Sequence, residues 1–225
     1  VGAIIFDFDG VIVDSEPVHA AALRECLRAE GLELTDEEYA SRYLGLCDRD
    51  IIEGVYRSAG RRLGAGDLAS LMARKRILIE EAIAQGACVP YEASGALLRE
   101  AARVGPAAIC SGAMRHEIDA VLRRLGLEGV VQVITSAEET AKSKPDPAPY
   151  LLTVERLGVP ARACVAIEDT AHGISSAKVA GLAAVGVCHS MRREELEAAG
   201  ADLVAASTAD LTVQGLLALI EARTP

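Results

Sequence analysis

The sequence predicts an α/β protein: a doubly wound parallel sheet interrupted by one inserted helical segment. Two observations predict it. Five short apolar runs of strand length recur along the chain with helical patterns between them, and a single stretch, residues 16–85, carries helical periodicity alone. Hydrophobic residues make up 51% of the 225, enough to bury a sizeable core.

The apolar runs are residues 2–6, 107–110, 130–134, 164–167 and 182–187, each bounded by Gly, Ser, Asp or Pro. Short, apolar but for Gln132 and turn-bounded, they read as strands buried on both faces. Residues 113–125, 147–157 and 171–180 set apolar side chains three and four apart, the spacing of a helix with one buried face. Strand alternating with helix implies right-handed crossovers and a sheet covered on both sides. Between 16 and 85, helices are expected to begin near Pro17, Asp36, Asp48 and Asp67, because proline and acidic residues suit a first helical turn. The expected organisation is an α/β core of residues 1–15 and 86–225 with a helical cap domain, residues 16–85, over the carboxyl ends of the strands, where open α/β sheets bind ligands.

Charge and composition narrow the function. A formal charge of −10 with no basic stripe argues against nucleic acid as partner, since phosphates need neutralising cations; a membrane surface is disfavoured for the same reason. No apolar run approaches the ~20 residues of a spanning helix, and Asp7 and Asp9 interrupt the N-terminal one. Neither signal nor anchor is read, the cytoplasm is the expected address, and a monomer is the expected state. Cys26, Cys47, Cys88, Cys110, Cys164 and Cys188 form no CxxC pair, so neither a zinc site nor a disulfide framework is expected. Cys110 and Cys164, inside apolar runs, read as small hydrophobes. Gly64-Ala65-Gly66 follows no strand and lacks the third glycine of a dinucleotide fingerprint.

Chemistry concentrates at strand ends. Asp7 and Asp9 follow the first run two residues apart, so on an extended backbone they share a face, where like charges need a cation or a proton. Magnesium suits such oxygen ligands, and Gly10 permits a tight turn. Ser111 and Gly112 follow the second run and precede a helix expected from residue 113; a serine there caps the helix or offers a hydroxyl and free N–H groups to an anion. Lys144 stands before a helix start, where a cation is locally unfavourable and calls for an anionic partner. Lys142 reads as a solvated loop lysine. Glu168 and Asp169 end the fourth run, placing carboxylates at another strand terminus.

In this order and spacing, DxDGVxxDSE from Asp7, the Cys110-Ser111-Gly112 triplet, KSKPDP around Lys144 and IEDTAHGI around Asp169 resemble the haloacid dehalogenase superfamily. A helical insertion after the first motif is similar to the α-helical cap of its β-phosphoglucomutase-like and sugar-phosphate phosphatase branch. The resemblance implies a Rossmann-like core and phosphoryl transfer to Asp7, giving an aspartyl phosphate. It implies Ser111, Gly112 and Lys144 on the phosphate oxygens, Mg²⁺ held by Asp7, the Asp9 carbonyl and Asp169 with Glu168 beside or behind it, and Asp9 as acid and then base. An acid at the second position also sets dehalogenation aside.

The expected substrate is a small phosphorylated metabolite, a sugar phosphate, and the expected reaction is its hydrolysis. Phosphomutase action is the alternative, and a catalytically silent sugar-phosphate-binding module is the reading from another class. The cap candidates are His19, Arg49 and Lys75. Asp48 stands where the mutase pattern sets a substrate-phosphate arginine, with Arg49 displaced by one, and this favours the phosphatase. Arg74 and Lys75, on a helix rich in basic residues, read as a solvated face unless Lys75 meets substrate.

Overall fold

A computed structural model describes residues 2–43 and 48–223. Ser15–Cys88 forms one compact unit, and the flanking Val1–Asp14 and Val89–Pro225 together form the other. The helical periodicity of the sequence alone places the insertion at 16–85.

The flanking unit is the α/β core. Its strands are β1 (Ala3–Phe6), β2 (Val13–Asp14), β3 (Val89–Pro90), β4 (Ala107–Cys110), β5 (Val133–Thr135), β6 (Cys164–Glu168), β7 (Ala183–Val187) and β8 (Leu203–Ala205). Six of them pair in the order β5-β4-β1-β6-β7-β8, all parallel, while β2 and β3 form a separate antiparallel pair. Registers such as Ile5↔Ala108 and Ile5↔Ala166 align the carboxyl ends of β1, β4 and β6. The chain winds outward from β1 through β4 to β5, then returns to β6 on the other side of β1. Crossovers therefore leave β1 in opposite directions, and the crevice this opens at the strand ends is where such folds bind ligands.

Side-chain alternation sorts the two faces. Ala3, Ile5, Ala108, Cys110, Cys164 and Ala166 join one buried cluster with Tyr150 and Val154 from a helix at Ala148–Leu157 and Ile174 and Ala177 from one at Ala171–Val179. Numbered along the chain, the helices are α1 (Glu16–Ala29), α2 (Asp36–Glu38), α3 (Asp48–Ser58), α4 (Ala65–Ala84), α5 (Glu92–Val104), α6 (Arg115–Arg124), α7 (Ala148–Leu157), α8 (Ala171–Val179), α9 (Arg193–Ala198) and α10 (Val213–Glu221). Helix α5 packs on β4 and α10 on β6. Cys110 and Cys164 are buried free thiols, and burial pushes both thiols up to about 11; Cys47 lies outside the described residues.

The Ser15–Cys88 unit is helical. Leu23, Cys26 and Leu27 of α1, Ile51, Ile52 and Val55 of α3 and Leu71 of α4 build its core with Tyr39 and Tyr43. Thr35 and Glu38 form a reciprocal capping box at the start of α2, which satisfies two of the amides that a helix start leaves without partners. A π-helical turn, Tyr39–Tyr43, follows. No helix among the described residues is long and apolar enough to cross a membrane.

Candidate functional site

Asp7 continues the alternation of Ala3 and Ile5, and Glu168 continues that of Cys164 and Ala166, so both carboxylates fall on the face covered by α7 and α8. The Asp7 amide donates to the Ile167 carbonyl at 2.9 Å, which ties the ends of β1 and β6 together just before both carboxylates emerge. Lys144, from the loop between β5 and α7, reaches into this space. Its Nζ lies 2.9 Å from Asp7 Oδ1 and 2.6 Å from Glu168 Oε1, and it donates to the Cys110 carbonyl at 2.9 Å. Three donors thus meet three acceptors, the full capacity of an ammonium group. Burial alone would lower the Lys144 pKa, but the Asp7 and Glu168 carboxylates overcome it and raise it. The anionic partner expected for this lysine is the chain's own carboxylate pair.

Glu168 is fully buried and takes a second donor on Oε1, the Tyr150 hydroxyl at 2.5 Å. Among the described residues its Oε2 has no partner, and neither does the buried Asp169 Oδ1. Asp169 Oδ2 accepts from the Ser190 hydroxyl. Asp7, Glu168 and Asp169 each bring a carboxylate oxygen to within 4.8 Å of the others. Burial, then the Asp7 charge, pushes Asp169 up to about 7, and the same two causes raise Glu168 well above the usual carboxylate range. One ammonium cannot neutralise three buried carboxylates, and two orphaned oxygens on hard ligands are what a small divalent cation satisfies. The residues present therefore fit Mg²⁺.

The chain does not stay extended through Asp9. Strand β1 ends at Phe6, and the Phe8 carbonyl accepts from the amides of Val11, Ile12 and Val13, so the shared-face argument for Asp7 and Asp9 is corrected: a turn intervenes, and the half-buried Asp9 carboxylate is not one of the three that converge. Gly10 takes φ 72°, a conformation that glycine adopts without strain. A Cβ there would fall 1.7 Å from Asp169 Oδ2, so the turn passes against the acidic cluster at a point where no other residue fits.

Ser111 ends up buried after β4, its amide donating to the Thr135 carbonyl and its Oγ accepting from the Ala113 amide at 2.9 Å. Helix α6 begins at Arg115 with Met114 as its N-cap, two residues later than expected, so Ser111 closes a local turn and is not the helix cap. Gly112, next to it, is exposed. Lys142 is solvated and pairs with Asp146 at 3.1 Å.

Within the helical unit, Lys75 Nζ lies 2.5 Å from Asp48 Oδ1 and 3.2 Å from His19 Nδ1, with 2% of its side chain exposed. The solvated-face reading of Lys75 is therefore corrected: Asp48 from α3 gives the lysine a partner and lets it be buried. Arg49 stays exposed on α3 and outside this cluster. Of the Gly45–Asp50 stretch that weighs against mutase chemistry, Gly45, Leu46 and Cys47 lie outside the described residues. Tyr150 and Ser190 are the site residues that the sequence reading missed. The strand-end logic that located Ser111 and Asp169 extends to the loop after β7, and that was the available signal for Ser190.

Residues 4–187 match the haloacid dehalogenase-like hydrolase family. Beta-phosphoglucomutase of Bacillus subtilis is 31% identical over 222 residues, covering 94% of this chain and 92% of that protein. A phosphorylated carbohydrates phosphatase of Thermotoga maritima is 29% identical over 206 residues, covering 90% and 93%. Among solved structures, a variant of CbbY from Rhodobacter sphaeroides in complex with xylulose-(1,5)bisphosphate superimposes with a TM-score of 0.82 at 28% identity, covering 96% of this chain and 99% of that one.

Proposed function

This chain belongs to the haloacid dehalogenase-like hydrolase family, and from that premise we propose that it is a Mg²⁺-dependent phosphatase of a small phosphorylated metabolite, a sugar phosphate, working through an aspartyl phosphate on Asp7. The observation that carries the reading is the buried convergence of Asp7, Glu168 and Asp169 around Lys144 at the strand ends.

Asp7 attacks phosphorus; the Lys144 N–H that holds its carboxylate at rest passes to a phosphoryl oxygen, and the Ser111 hydroxyl and the Gly112 amide hold the others. Asp9 gives its proton to the departing oxygen, then takes one from the water that cleaves the aspartyl phosphate. Asp7, Asp169 with Glu168 and the Asp9 carbonyl would hold Mg²⁺, which supplies charge neutralisation at the phosphoryl group. The helical unit, with His19, Arg49 and Lys75 as candidates, is assigned the choice of substrate. In the same reading the protein works as a cytoplasmic monomer.

Mutase action is the second reading, favoured by the 31% identity to a beta-phosphoglucomutase. Against it stands Asp48, which brings a negative charge to Lys75 where that chemistry needs uncompensated cations for a second phosphate. Phosphate release from a metabolite panel, dependent on Mg²⁺ and abolished by Asp7→Asn, tests the phosphatase; no turnover across the panel argues for a silent binder. With β-glucose 1-phosphate and a trace of the 1,6-bisphosphate, phosphorus NMR separates the enzymes, since conversion to the 6-phosphate without free phosphate sinks the hydrolytic reading.

A further inference from the structure

The loop after β7 meets the candidate site through three consecutive residues. His189 Nδ1 lies 2.7 Å from the Gly10 carbonyl oxygen, Ser190 donates to Asp169, and Met191 Sδ accepts from the Ala171 amide at 3.2 Å. A carbonyl only accepts, so Nδ1 carries the proton. The neutral Nδ1–H tautomer and the imidazolium both supply that donor, and the contact survives either protonation state. The ring is also fixed in plane: it stacks on Tyr91 with centroids 4.0 Å apart and an 18° tilt. Tyr91 in turn donates its amide to the Ile12 carbonyl at 3.0 Å. One stacked pair therefore grips two carbonyls of a single turn, at Gly10 and at Ile12.

That turn is confined by the acidic cluster as well. Gly10 already lies so close to Asp169 that a Cβ would overlap its carboxylate; the turn cannot approach the acidic cluster further, and His189 keeps it from moving away.

We infer that His189 is a positioning residue, fixing through the Gly10 carbonyl the turn that presents Asp9, with Tyr91 as its brace. The importance of Asp9 rests on the phosphoryl-transfer reading; the grip on the turn does not. No motif marks His189, which stands 179 residues from Gly10 in sequence.

His189→Phe tests this directly, since it keeps a ring to stack on Tyr91 and removes the donor, while His189→Asn restores an N–H near the Nδ1 position. The expected result is a kcat lowered roughly 10- to 100-fold in His189→Phe with KM nearly unchanged, the pattern of a misplaced reacting group, and substantial recovery in His189→Asn. Unchanged kcat in His189→Phe, or an equal loss in both variants, overturns the inference. Should His189→Phe fail to fold, nitrogen-15 NMR of the wild-type imidazole decides: a protonated, hydrogen-bonded Nδ1 supports the inference, and an unprotonated Nδ1 overturns it. Wild-type protein with that N–H but no phosphatase turnover removes the functional reading alone, whereas full turnover in His189→Phe removes the positioning role alone.

Discussion

Lys144 Nζ stands between Asp7 Oδ1, 2.9 Å away, and Glu168 Oε1, 2.6 Å away, so one loop cation neutralises carboxylates from two adjacent strands. Lys144→Met keeps the stem of the side chain and removes the charge. The variant is expected to lose on the order of 10²-fold or more in kcat, the scale for removing a preorganised charge from a developing anion. Stability should fall by about 3 kcal/mol at pH 8, because truncating one partner leaves the others buried and uncompensated. Protonation of Glu168, whose carboxyl burial already holds above the usual range, relieves the defect, so the deficit should shrink toward pH 5. Urea unfolding at both pH values checks this, and a pH-independent deficit would speak for lost packing.

Asp169 gives the metal-free protein a signed pH dependence. Its unfolded carboxyl titrates near pH 4, and its folded one is pushed up to about 7 by burial and by Asp7. Below about pH 4 both forms are protonated and the group contributes nothing. As pH rises from there toward 7 the unfolded chain releases its proton first, so the folded state binds more protons and loses stability until the penalty is complete above 7. In chelator, the thermal midpoint of wild type should therefore decline across this window relative to Asp169→Asn. Magnesium binds the ionised carboxylates, so the stabilisation it gives wild type should grow over the same range and be largely absent in the variant.

Much of this site was readable in the chain because its residues sit where apolar runs stop. Asp7, Ser111 and Asp169 each follow a strand, Ala107–Cys110 for instance, that matches an apolar run to within a residue at either end. The short strands were not legible: β8 has three residues and β2 and β3 two each, too few for periodicity to register. Tyr150 escaped notice because an aromatic on the apolar side of a helix reads as core, which it is; only the register of α7 against β6 brings its hydroxyl to Glu168. Lys75 was misread because its partner Asp48 lies on another helix, and no local spacing reveals a tertiary ion pair.

Tyr150→Phe removes one oxygen from a fully buried ring and leaves Glu168 Oε1 with Lys144 alone. Burial and the Glu168 charge raise the phenol well above its ordinary pKa, so it is a donor throughout the working range. Loss of a buried bond to a charged acceptor costs about 1.5–3 kcal/mol. Denaturant unfolding should show that loss, and calorimetry should show weaker Mg²⁺ binding, because Glu168 is no longer held from both sides. Wild-type metal affinity in the variant would mean that Lys144 alone orients Glu168.

In the helical unit, Asp48→Ala strands a buried ammonium. Lys75 is 2% exposed and Asp48 30%, so solvent already screens part of the pair and the expected cost is about 1–2 kcal/mol, below that of a fully buried one. Removing the charge as well, in Asp48→Ala with Lys75→Met, should recover most of the loss, since a long apolar side chain fills the same space. A double-mutant cycle by thermal unfolding reads the coupling; additive losses would mean that the pair contributes only through packing.

Gly173 offers the sharpest contrast between helix propensity and site geometry. Alanine is favoured over glycine inside a helix by up to ~1 kcal/mol, and at Gly66 of α4, where an added Cβ meets nothing within 4 Å, Gly66→Ala should raise stability by a part of that amount. At Gly173, in the first turn of α8, the same Cβ would lie 1.9 Å from Glu168 Oε2 and 2.3 Å from Oε1. That carboxylate cannot step aside, because Lys144 and Tyr150 hold its other oxygen. Overpacking of this kind costs about 1–3 kcal/mol, which exceeds the propensity gain, and any relief comes from displacing Glu168 from the acidic cluster. Gly173→Ala is therefore expected to lower the thermal midpoint, weaken Mg²⁺ binding and reduce turnover together, while Gly66→Ala moves only the midpoint, and upward. A Gly173→Ala protein as stable and active as wild type would show that Glu168 has room to move and that its placement is not what sets the geometry of Asp7 and Asp169.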